Sequence, residues 1–66
     1  MDNSFIDGIW FSVQTLVLAH GQPTMARDII KEAGLSLRQC VQAQKRSNYR
    51  MLEMLKFIEQ ELNGKI

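Results

Sequence analysis

A glycine set between two short helical patterns constrains this chain more than any other feature. Ile29, Ile30 and Ala33 share one helical face, and Gly34 follows at a point where the backbone can turn left-handed without a Cβ penalty. Leu35 is placed to fold back on Ile30, the hydrophobic contact that accompanies a Schellman stop. Ser36 with Gln39 three residues on then reads as a capping box that opens the next helix. Separate local signals therefore predict the same thing over residues 25–40: a helix, a tight turn and a second helix.

The rest of the chain has to build a core around that hairpin from very little. It has 66 residues, 45% of them hydrophobic and 23% charged, the balance of one globular domain. A core this small is marginal, and small folds commonly add disulfides, a metal or a second subunit. The single cysteine, Cys40, excludes an intrachain disulfide, and Cys40 with His20 is too small a set for structural zinc. Self-association remains, so a homodimer is expected. A lone thiol suits a reducing cytoplasm, and the opening Met-Asp-Asn lacks the basic region of a secretory signal. The most apolar run, residues 9–19, is too short to span a bilayer and is broken by Ser12, Gln14 and Thr15. The expected setting is cytoplasmic, with no membrane contact.

Helices are expected over about 4–20, 25–33, 37–46 and 48–62, all within a single domain, 1–66. Ser4 with Asp7 marks the first start, and Gly21 and Pro23 mark its stop. Phe5, Ile6, Ile9, Trp10, Val13, Leu16 and Val17 fill one broad face of this helix. Phe11 and Leu18 lie on the opposite side, seven residues apart, and suggest contact with another chain. Thr24 is the candidate cap of the second helix, whose Arg27, Asp28, Lys31 and Glu32 read as a solvated face. Beyond Leu37 two readings compete. Leu37, Cys40 and Val41 fall on one side with Met51, Leu52, Met54, Leu55, Ile58 and Leu62 if the helix is unbroken, despite Gln44, Ser47 and Asn48 on that face. A continuous helix over 37–62 would be roughly 39 Å long, too long for a compact monomer. A break at Ser47 or Asn48 is favoured. Asn63-Gly64 should end the last helix, with Lys65 and Ile66 frayed. The fold class is thus all-α, three or four helices packed around the hairpin.

Catalysis fails on inventory. His20 suits the end of the first helix, where the dipole favours a cation, and Cys40 sits on an apolar face as a small hydrophobe. There is no phosphate-binding glycine loop, carboxylate pair or metal spacing, so neither enzyme activity nor a cofactor is expected. Phe5, Trp10 and Phe11 crowd one apolar helix, as core or interface aromatics do. Met51 and Met54 offer either core filling or an adaptable partner surface. Candidate interface residues are Phe11, Leu18, Leu37, Val41, Met51 and Met54. The net charge of +1 gives no long-range pull on nucleic acid, but Arg38, Lys45, Arg46 and Arg50 follow one another with no acidic residue between them.

Over residues 24–45 the chain resembles a helix-turn-helix unit. The family's buried positions would fall on Ile29, Ile30, Ala33, Leu35, Cys40 and Ala43, all apolar, and its turn glycine on Gly34. The resemblance implies a DNA-binding regulatory module in which Ser36, Arg38, Gln39, Gln42, Lys45 and Arg46 face DNA. Arg38 or Gln42 would read base edges, with Lys45 and Arg46 on phosphates. Two departures stand out: Ile30 replaces the family's small residue, and Leu37 and Val41 would point at the groove. The alternative is a homodimeric protein-interaction module that binds or inhibits a host macromolecule without touching DNA. In size and helical pattern the whole chain also resembles, more loosely, the small early-region regulatory proteins of lambdoid phages, which implies a host or phage protein as partner.

Overall fold

Asp2 opens the first helix: its carboxylate accepts the Phe5 N–H at 2.9 Å, and α1 runs Asn3–Leu18. The computed structural model describes residues 2–63. After α1 come α2 (Pro23–Ala33), α3 (Leu37–Ser47) and α4 (Met51–Phe57), the last running into a π-helical turn, Ile58–Leu62. There is no strand among the described residues, and the domain is all-α. The expected stop at Gly64 and the frayed Lys65 and Ile66 lie outside the described residues.

Two starts differ from expectation. Asp2 rather than Ser4 caps α1, which leaves Asp7 free for a long-range partner. At α2 the Thr24 cap does not form, because Gln22 holds the cap position and Pro23 takes the first turn, where a missing N–H loses nothing. Helix α1 ends at Leu18, so His20 lies just beyond it and is exposed; Gly21 turns at φ 59° and Gln22 N–H donates to the Leu16 carbonyl at 2.9 Å.

The α2–α3 connection has the expected geometry. Gly34 is left-handed (φ 74°, ψ 27°), and the N–H groups of Leu35 and Gly34 donate to the carbonyls of Ile30 and Lys31, each at 3.1 Å. These are the two bonds of a Schellman motif. Ser36 Oγ accepts the Gln39 N–H at 3.1 Å while Gln39 Oε1 accepts the Ser36 N–H at 2.8 Å, closing the capping box. A Cβ added at Gly34 would meet no atom within 4 Å. The penalty for any side chain there is therefore conformational alone. Gly34→Ala should cost roughly 1 kcal/mol, lowering Tm by about 4–8 °C, and β-branched Gly34→Val should cost more. Thermal melts of both variants check this; unchanged melting temperatures would contradict a turn held by the left-handed residue.

The chain does not continue as one helix past Ser47. Asn48 (φ 50°, ψ 30°) and Arg50 (φ 47°, ψ 54°) are both left-handed, a conformation that Asn tolerates and Arg rarely adopts. This double turn resets the helical phase, and the sequence's apolar face over 51–62 changes with it. Leu52 and Leu55, expected inside, are 82% and 42% exposed, whereas Phe57, not expected on that face, is buried with Met54, Ile58 and Leu62. The π-helical turn, closed by Asn63 N–H on the Ile58 carbonyl at 2.9 Å, keeps Ile58 and Leu62 both inside.

Helix α1 packs on α2, α3 and α4, whereas α2 and α3 meet each other only sparsely. Ile6, Trp10 and Val13 of α1 therefore form the middle of the core, with Ala26 and Ile30 of α2, Leu35 of the turn, and Cys40 and Ala43 of α3 around them. Trp10 and Phe57 bring their rings within 6.4 Å at a 55° tilt. Arg27, read from the sequence as solvated, reaches Glu61 at 3.6 Å, a pairing that links α2 to the π-helical turn.

Candidate nucleic-acid interface

Helix α3 divides its residues cleanly between inside and outside. Cys40, Ala43 and Gln44 are buried, and Leu37 and Val41 are half-buried against the core cluster. Both aliphatic side chains thus lie on the apolar side where the helical period puts them with Cys40, and not toward the groove as the helix-turn-helix resemblance implied. Arg38, Gln42 and Lys45 are exposed at i, i+4 and i+7, one stripe along the helix. Of the four cations between Arg38 and Arg50, only these two, Arg38 and Lys45, have no ion-pair partner among the described residues.

Three expected site residues are occupied elsewhere. Arg46 forks onto Asp7, with Nη2 at 2.7 Å and Nε at 3.0 Å from Oδ1, so it clamps α3 to α1. Gln39 is half-buried and its carbonyl oxygen is engaged in the capping box. Met54 is fully buried and cannot belong to a partner surface, because it fills the core, the other of the two roles open to it. Met51 is half-buried. Phe11 is 69% exposed, while Leu18 is half-buried against the core. Arg50 pairs with Glu53 at 3.3 Å. The Glu53 carboxyl is held below its usual range, first by its own backbone N–H and then by Arg50.

The residues that sequence reasoning missed are two glutamines. Gln44 is fully buried and Gln14 is 5% exposed. Gln44 Oε1 accepts from Trp10 Nε1 at 2.8 Å and from Gln14 Nε2 at 3.1 Å, while Gln44 Nε2 donates to the Tyr49 carbonyl at 3.0 Å. Gln14 Nε2 also donates to Ser47 Oγ at 2.9 Å. One amide thus joins α1, α3 and the turn into α4. The available signal was an amide in mid-face on α3 together with an indole on α1, two groups that need partners once buried.

Burial pushes the Cys40 thiol from its ordinary 9.0 up to about 11, so the reactive thiolate is suppressed. Among the described residues no three His, Cys, Asp or Glu side chains gather where a metal could be held, and no helix is long and apolar enough to cross a membrane. Compared with protein-family models, curated proteins and solved structures, the chain matches none.

Proposed function

We propose that this chain is a small non-enzymatic regulatory protein that lays α3 in the major groove of duplex DNA. The observation that carries the reading is the outward stripe of Arg38, Gln42 and Lys45, free of aliphatic side chains because Leu37 and Val41 pack inward. Arg38, in the first turn of α3, is placed as recognition-helix residues that reach base edges are, and its guanidinium matches the O6 and N7 acceptors of guanine. Gln42, one turn on, matches the N6 and N7 edge of adenine, and Lys45 supplies a phosphate contact. The capping box and the Arg46–Asp7 fork hold the helix at both ends, so the stripe is rigid before it meets a ligand.

Two unpaired cations on one face cannot supply much affinity, and binding should be weak and salt-sensitive. Fluorescence anisotropy against mixed duplex fragments at low and moderate salt tests this. Lys45→Ala should weaken binding to all sequences alike and reduce the salt slope by about 1, whereas Arg38→Ala or Gln42→Ala should relax sequence preference. No binding at either salt by folded protein sinks the proposal.

The exposure of Leu52, at 82%, favours a second reading. There, Leu52 with half-buried Met51 beside it anchors a host or phage protein, and no duplex binds at physiological salt.

A further inference from the structure

We infer that a second copy of this chain covers the outer strip of α1, in an antiparallel two-fold pair whose axis passes near Thr15. The proposal is independent of the DNA reading and goes beyond it.

The strip is uncharged. Residues 8–19 contain no Asp, Glu, Lys or Arg, in a chain that is 23% charged overall. Charge depletion with an exposed aromatic is the mark of an interface centre rather than of ordinary surface. Two of its hydroxyls are already satisfied: Thr15 Oγ1 donates to the Phe11 carbonyl at 3.0 Å and Ser12 Oγ to the Gly8 carbonyl at 3.3 Å. Covering Ser12 and Thr15 therefore orphans neither hydroxyl hydrogen.

It also complements itself. Phe11 stands out of the strip, 69% exposed, and with Thr15, Leu18, Ala19 and Tyr49 it lines an open groove of about 390 Å³. About 150 Å³ suffices for a benzene-sized ring, so the groove has room for a second phenyl side chain beside Phe11. Phe11 and Leu18 are seven residues apart, two helical turns or roughly 10 Å. In an antiparallel pair centred midway between them, each Phe11 meets the other copy's Leu18, the reciprocity that a two-fold interface requires. A stable pair needs roughly 600–800 Å² from each copy, and the chain exposes 4270 Å². The pair must therefore use the whole uncharged strip over residues 8–19 together with exposed Tyr49, and not one ring alone.

Sedimentation equilibrium on the full chain should show a dimer at micromolar concentration. Phe11→Ser, which alters an exposed side chain and so leaves the fold intact by circular dichroism, should raise the dissociation constant roughly 100-fold or more, because one anchor is lost from each copy. A cysteine introduced by Thr15→Cys should join to its own copy under mild oxidation, and one introduced by Glu32→Cys on α2 should not. A monomer throughout, a dimer unaffected by Phe11→Ser, or cross-linking at position 32 instead of 15 would each overturn the pairing. So would a monomer whose groove captures an unrelated protein or small apolar ligand.

Discussion

Replacing Gln44 with alanine should leave this protein largely unfolded at 25 °C or lower its Tm by something on the order of 15–25 °C. The substitution strips the Gln44 acceptor from the indole N–H of Trp10, which is 1% exposed, and removes the donor to the Tyr49 carbonyl. Each buried group left without a partner costs about 1–3 kcal/mol, and the vacated amide adds a cavity, for a total near 3–5 kcal/mol. A domain of this size has roughly 3–10 kcal/mol of stability in all. Gln14→Ala should be milder, because Trp10 keeps its bond to Gln44 and Gln14 itself only donates. Urea titration of the two variants gives the comparison directly. If Gln44→Ala unfolds at the wild-type midpoint, the network contributes nothing to stability.

Met54→Ala should cost about 2–5 kcal/mol, whereas Leu52→Ala, two positions away, should stay within about 0.5 kcal/mol. Met54 is fully buried beneath α1 and α3, and Leu52 is 82% exposed. The pair is a sharp test of the helical phase after the double left-handed turn. Equal losses in thermal melts would mean that α4 is rotated relative to the arrangement described above.

That same contrast shows where the chain is legible and where it is not. The hairpin was readable because every signal in it is local: Gly34, Leu35, Ser36 and Gln39 act on backbone within a few residues of themselves. The division of α3 into core and outer faces followed from period alone for Cys40 and Ala43. The period also put Leu37 and Val41 on the apolar side, where both are half-buried; only the helix-turn-helix resemblance had them facing outward. The position of a break near Asn48 was also readable, since Asn is a residue that tolerates the left-handed region. Its consequence was not. Arg50 carries no mark of a left-handed conformation, and one unforeseen turn there put Leu52 and Leu55 outside and Phe57 inside while Met54, Ile58 and Leu62 stayed in the core. At the candidate site the missing information was long-range. Nothing near Arg46 announces Asp7, which lies 39 residues away, and nothing near Gln44 announces Trp10, 34 residues away. Pairings at such separations depend on how α1 docks, which no local pattern encodes.

Trp10 is the chain's single tryptophan, and its place in the amide network gives it a use apart from stability. Its indole belongs to α1, bonds to a side chain of α3 and lies against the Phe57 ring of α4. Its intrinsic fluorescence therefore reports the docking of three elements at once, with no label attached. The outer stripe of α3 faces away from that indole. Occupying the stripe with a ligand should leave the emission in place, whereas undocking α3 or α4 should move it toward that of tryptophan in water. A single optical channel thus separates binding from unfolding in the same cuvette.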